Sequence, residues 1–148
     1  MARGSRPRSR CGEPRGSALE RLILDTTVLI DGERADASLD EMIGDEDDVA
    51  IAAITAAELF VGVELADAKR RSARAKYVER VLSTIPLEAY DLDVARAHAS
   101  LLAATRRSGS PRGAHDLVIA ATAAARDRTI VTADGRAFLG LLGVSIRS

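Results

Sequence analysis

Four carboxylates, Asp25, Glu58, Asp116 and Asp134, stand where an apolar stretch ends or a helix-forming stretch begins. In a doubly wound α/β sheet the carboxyl ends of the strands share one rim, and ligands bind there at the switch point of the strand order, so residues far apart in sequence can converge. Converging anions must be neutralised. Either some take up protons because neighbouring charge raises their pKa values, or together they surround a divalent cation, an arrangement that implies phosphate chemistry. Oxygen donors without a Cys or His cluster suit Mg²⁺ or Mn²⁺ rather than zinc. Each acid also has a local explanation. Asp25 precedes Thr26-Thr27-Val28-Leu29-Ile30 and fits a helix N-cap. Glu58 closes Thr55-Ala56-Ala57-Glu58, a capping box that is the better reading of that residue taken singly. Asp116 at a helix start is favoured by the macrodipole, and Asp134-Gly135 fits a turn. Four caps and turns at one sheet edge would still leave four anions close together, so the local and chemical roles can coincide.

The elements that must position these acids follow from hydrophobic pattern. Leu22-Ile23-Leu24 and Val49–Ile54 read as buried strands, Thr129–Thr132 as a third, Val144–Ile146 as a weaker fourth, and Ile85-Pro86-Leu87 as a short edge strand. Residues 55–67, 70–83, 92–106 and 116–126 return apolar side chains at the helical period. The space between the first two strands fits a helix rather than a hairpin. Strands alternating with helices predict a mainly parallel sheet covered on both faces, a three-layer α/β/α arrangement. Residues 116–125 are apolar nearly all round and predict a helix packed deeply on the sheet, with a charge at its mouth that needs a reason.

Composition bounds the rest. The 148 residues suit one domain able to bury its own core. Before Leu22 six Arg face two Glu, leaving fifteen basic and twenty acidic residues afterwards. Residues 1–20 read as a flexible basic tail, and 21–148 as the folded domain, which is acidic. The run Asp45-Glu46-Asp47-Asp48 reads as a solvated loop. Cys11, the single cysteine, excludes an intrachain disulfide and a thiolate metal cluster. No apolar run is long enough to span a bilayer and no secretory signal is visible, which predicts a cytoplasmic protein. Few aromatics and no Trp leave little for stacking on single-stranded bases, so a nucleic acid would be held by its backbone. Lys69, Arg70, Arg71, Arg74, Lys76 and Arg80 read as a solvated helix face, whereas Arg106, Arg107 and Arg112, beside the loop before Asp116, are favoured for phosphate contact. Thr26 and Thr132 are placed behind the acids, where they orient water or phosphate, although capping and strand preference account for them equally. His115 beside Asp116 reads as exposed or structural ahead of a proton shuttle, and His98 as packing or surface.

The segments Leu22–Ile30, Glu58-Leu59-Phe60-Val61-Gly62, His115–Ala123 and Val131-Thr132-Ala133-Asp134 together resemble the ordered motifs of PIN-domain nucleases, in particular those of VapC-type toxins. The resemblance spans the chain beyond the basic tail and is most specific in Asp116–Ala123. Thr27 departs from the Ser or Asn common at its position, and Ala114-His115 from a more polar pair. The resemblance implies a PIN-like fold and a Mg²⁺-dependent endoribonuclease, with Mn²⁺ as a substitute. It implies Asp25 and Asp116 as primary metal ligands, Glu58 ligating directly or through water, and Asp134 completing the site. It further implies an RNA substrate, a cognate antitoxin whose peptide arm occupies a groove, and a homodimer. For Leu59, Phe60, Val63 and Leu65 a core role is expected for most. The rival readings are a degenerate PIN domain that only binds RNA or protein, and a haloacid-dehalogenase-type phosphatase. The latter wants a second Asp where Thr27 stands and a lysine near the site. A receiver domain fails for the same missing lysine.

Overall fold

The structure, a computed structural model, describes residues 20–44 and 48–148. Residues 1–19 of the basic tail, with Cys11, and 45–47 of the acidic run lie outside the described residues; Asp48, the last of that run, is not loop but opens a strand and pairs with Arg21 and Arg128. Among the described residues five parallel strands form the sheet: β1 (Arg21–Leu24), β2 (Asp48–Ala52), β3 (Leu87–Glu88), β4 (Thr129–Val131) and β5 (Ile146–Arg147). Their spatial order is β3-β2-β1-β4-β5, with Ile23 opposite Ala50 on one side and Ile130 on the other. Six helices connect them: α1 (Thr26–Arg34), α2 (Leu39–Met42), α3 (Ala53–Leu65), α4 (Ala68–Thr84), α5 (Leu92–Ser108) and α6 (Ala114–Arg126). The chain winds outward from β1 to β2 and β3, then returns across β1 to β4 and β5. The switch point therefore lies between β1 and β4, and the expected three-layer α/β/α sandwich is the fold.

Strand alternation divides the core in two. Leu22, Leu24, Val49 and Ile51 face α1, α3 and α4, where they meet Leu29, Leu59, Tyr77, Val78 and Val81. Ile23, Ala52 and Ile130 face α5 and α6, where they meet Val94, Leu101, Leu117, Ile119 and Ala120. Burial on both faces is why these strands read as continuous apolar runs. Helix α6 packs as expected, with Leu117 and Ile119 through Ala123 buried.

Several boundaries move. Ala53 and Ile54 belong to α3 and not to the second strand, because β2 passes into the helix with no intervening loop. The edge strand is Leu87–Glu88; Ile85 is the C-cap of α4, and Pro86 contributes only its carbonyl, to Ile51 N–H. The last strand is Ile146–Arg147 rather than 144–146. Leu59 is core and Val63 packs against it, but Phe60 and Leu65 are exposed, so core is not the fate of most of that group. Among the described residues no helix is long and apolar enough to cross a membrane.

Candidate active site

The first strand delivers its carboxylate at the switch point. Asp25 follows Leu24, is the N-cap of α1, and is 3% exposed. A buried carboxylate needs donors, and this one has three. Oδ1 accepts from Thr26 N–H at 2.8 Å. Oδ2 accepts from the hydroxyls of Thr27 and Thr132, both at 2.8 Å.

Glu58 lies on α3, but not in the capping box that Thr55–Glu58 suggested. The helix begins at Ala53 with Ala52 as an N-cap that offers no side-chain bond. Thr55 thus falls inside the first turn, fully buried, with its hydroxyl oxygen 3.3 Å from that of Thr26. Glu58 is thereby freed from backbone duty. Its Oε1 accepts from the Thr26 hydroxyl at 2.6 Å, and its Oε2 lies 3.1 Å from His115 Nδ1. His115 therefore has a partner, although its side chain is more than half exposed. His98 makes a bond with the Tyr90 hydroxyl away from these residues.

Asp116 occupies the first turn of α6, three residues after the N-cap Gly113. The macrodipole favours it there, yet its pKa is raised. Burial is the largest cause, followed by the charges of Asp25, Glu58 and Asp134, with His115 opposing them. That order of causes places all four acids in one electrostatic neighbourhood. The carboxylate also occupies space that most residues at 113 would fill, since a Cβ on Gly113 would lie 2.7 Å from Asp116 Oδ2. Asp134 follows β4 as the exposed N-cap of a 3₁₀ turn (Gly135–Ala137), with no side-chain capping bond. Its amide donates to Thr132 Oγ1 at 2.9 Å.

The structure thus puts Asp25, Glu58 and Asp134 within electrostatic reach of Asp116, and with them a set of threonines, of which Thr27 carries no role in the sequence reading and Thr55 only that of a helix cap. The signal was present: Thr26-Thr27 follow Asp25, Thr55 precedes Glu58 by one turn, and Thr132 precedes Asp134 by two residues. Oxygen donors of this kind fit a hard cation in type and charge. In the side-chain arrangement seen, no three His, Cys, Asp or Glu groups among the described residues enclose an ion. Glu58 is engaged by Thr26 and His115 instead. Of the arginines favoured for phosphate contact, Arg112 donates to the carbonyls of Ala137 and Leu139 and so ties down the segment after Asp134, whereas Arg106 and Arg107 are exposed. On α4, Arg71 and Arg74 are likewise engaged, with Glu64 and Ala66 carbonyls and with Glu33 and the Gly62 carbonyl.

Comparison with known proteins agrees with the fold. The PIN domain family model matches residues 22–139. No curated protein sequence matches the chain. Among solved structures, VapBC-5 of Mycobacterium tuberculosis, a member of the VapBC family of toxin–antitoxin systems, is 35% identical with a TM-score of 0.68, covering 84% of this chain and 94% of that one. DNA-bound VapBC from Salmonella typhimurium is 26% identical with a TM-score of 0.77, covering 87% and 98%. FitAcB from Neisseria gonorrhoeae is 28% identical with a TM-score of 0.71, covering 86% and 96%. The chain belongs to the PIN-domain family, a family of nucleases, and within it to the VapC-type toxins.

Proposed function

We propose that the protein is a Mg²⁺-dependent endoribonuclease, with Mn²⁺ as a substitute, and the toxin of a toxin–antitoxin pair. The single observation that carries this reading is geometric: at the switch point the buried Asp25 accepts from Thr27 and Thr132, Thr132 also receives the Asp134 amide, and the adjoining Thr26 hydroxyl donates to Glu58. Burial, and with it the charges of Asp25, Glu58 and Asp134, pushes the Asp116 pKa up. A fold that keeps four anions together at its ligand-binding rim bears an electrostatic cost that a divalent cation relieves. Asp25 and Asp116 would hold the ion, Glu58 would act directly or through water, and Asp134 would complete the set. When bound, the cation lowers the pKa of a water and neutralises charge on the phosphate.

The chain's own groups do the rest. Thr26, Thr27 and Thr132 fix the acids with their hydroxyls, and the buried floor beneath Asp25 excludes bulk water from one side of the site. His115 stands beside Glu58 at the exposed side and orients its carboxylate. Arg106 and Arg107 would offset the repulsion between RNA and the acidic rim. Hydrolysis by water would leave a 5′-phosphate and a 3′-hydroxyl, without attack by the 2′-hydroxyl.

An antitoxin partner fits both the Mycobacterium tuberculosis relative, a member of the VapBC family of toxin–antitoxin systems, and a cavity of about 130 Å³ that begins at Glu58. Its floor is Ile30, Leu59, Tyr77 and Val78, and its rim carries Glu33, Arg34 and Arg74. An apolar peptide side chain suits that floor and a basic one suits the acids beside it. Exposed Phe60, Val61 and Leu65 on α3 offer apolar surface to a second copy or to the antitoxin.

The test is incubation of the purified protein, freed of antitoxin, with a mixed RNA pool in EDTA, Mg²⁺ or Mn²⁺, followed by mapping of the cut ends. Metal-dependent cuts with 5′-phosphate ends are expected. Binding without cutting at any metal concentration would assign the chain to the RNA-binding alternative.

A further inference from the structure

We infer that Thr27 and Thr132 form a two-armed clamp that sets the Asp134 loop against Asp25, and that Thr27 is a positioning residue for the reaction; the inference rests on the nuclease reading above. The geometry is closed on both arms. Ala133 N–H donates to Thr27 Oγ1 at 3.1 Å, and Thr27 Oγ1 donates to Asp25 Oδ2 at 2.8 Å. Asp134 N–H donates to Thr132 Oγ1 at 2.9 Å, and Thr132 Oγ1 donates to the same Oδ2 at 2.8 Å.

The direction of each arm is fixed by chemistry. A backbone amide can only donate, so each hydroxyl must accept there, and its single proton is free for the carboxylate. The two hydroxyl oxygens stand 3.4 Å apart, but with both protons directed to Asp25 they touch without bonding to each other. Two consecutive amides of the β4 exit are thereby referred to one oxygen at the β1 exit. Asp134 is exposed and has no capping bond of its own, so these arms and the start of its 3₁₀ turn decide where its carboxylate is presented. Thr132 belongs to the same stretch as Asp134, whereas Thr27 reaches it from a helix 105 residues away in sequence. The Thr27 arm is the one that couples the two strand exits from the α1 side.

The test compares full-length Thr27→Val, which keeps the shape and loses the hydroxyl, with Thr27→Ser, which keeps the hydroxyl. Amide hydrogen exchange in EDTA reads the clamp without any metal, and Mg²⁺-dependent cleavage of one RNA reads its consequence. In Thr27→Val the Ala133 amide should exchange about tenfold faster and kcat should fall about tenfold at unchanged KM, while Thr27→Ser restores both. Unchanged Ala133 protection in Thr27→Val, an unchanged kcat, or a Thr27→Ser that behaves like Val overturns the clamp. A wild-type protein that cuts no RNA overturns the nuclease reading instead, and the exchange comparison still decides the clamp.

Discussion

At the scale of the residue, the acids differ in how they tolerate their surroundings, and the differences make distinct predictions. The raised pKa of Asp116 means that the folded protein binds a proton more readily than the unfolded chain, from the ordinary value of 3.8 up to the raised one. Stability of the metal-free protein should therefore rise as pH falls through that interval, and the full cost should be present at neutral pH. Asp116→Asn removes the charge, so urea denaturation in EDTA should find it more stable than wild type at pH 7 and less dependent on pH, while cleavage is lost. Asp25→Asn should behave in the opposite sense. Both oxygens of Asp25 are acceptors, one for Thr26 N–H and the other for two hydroxyls. An amide in either orientation sets donor against donor or strips the hydroxyl protons of their acceptor. We expect a loss of about 2 kcal/mol in stability, an unchanged far-ultraviolet spectrum, and cleavage reduced more than about a hundredfold. Full activity in either variant would falsify the assignment of these two acids.

At the scale of the element, the site depends on how two helices are seated. Helix α6 enters through Gly113, whose φ of −58° any residue could adopt. The demand for glycine is spatial, since a Cβ would press on the Asp116 carboxylate. Gly113→Ala should leave the melting temperature within a few degrees of wild type, by about 1 kcal/mol at most, and reduce cleavage about tenfold by turning that carboxylate. Unaltered kinetics would show that the carboxylate needs no such cradle. Helices α1 and α4 are tied by the buried Tyr77 hydroxyl, which donates to the Leu29 carbonyl at 2.6 Å. Burial, with Glu33 nearby, raises its pKa and keeps it a donor across the physiological range. Tyr77→Phe should cost about 1 kcal/mol in thermal or urea denaturation. A loss several times larger would mean that the groove floor rearranges with it.

For the whole molecule, the two ends of the sheet carry different tasks. The carboxyl end gathers like charges for chemistry, while the amino end is fastened by opposite ones. Arg128, just before β4, donates to the Leu22 carbonyl, to the carbonyl and carboxylate of Asp48, and to Glu88, and so spans β1, β2 and β3. Its side chain is 7% exposed, but Asp48 is 37% exposed and keeps Arg21, and Glu88 keeps Arg126. Removing Arg128 thus costs about 1–3 kcal/mol, chiefly through the hydrogen bonds lost by the Leu22 and Asp48 carbonyls. Arg128→Ala should therefore lower stability by about that amount in denaturant titration. Cleavage per folded molecule at low temperature should stay near wild type, because Arg128 and Asp48 stand at the opposite ends of β4 and β2 from the acids. A selective loss of kcat in the folded protein would mean that strain travels along β1 to Asp25.

The sequence by itself determined the elements, because burial on both faces forces apolar strands and a helix that is apolar nearly all round, as in Leu22–Leu24 and residues 116–125. It also determined which acids stand at strand exits, because a charge that closes an apolar run is visible without coordinates. Boundaries such as Ala53 and Ile54 were not legible, since Ala and Ile suit strand and helix alike and only the direct passage of β2 into α3 decides between them. The tertiary structure alone decided that Glu58 is not a capping residue, that Arg112 is spent on carbonyls, that Phe60 and Leu65 face outward, and that Thr27 serves a loop 106 residues further on. The outward turn of Phe60 and Leu65 depends on which face of α3 meets the core, and the other three depend on groups from distant segments that come within about 3 Å, a range of hydrogen bond that carries no trace in local pattern or spacing.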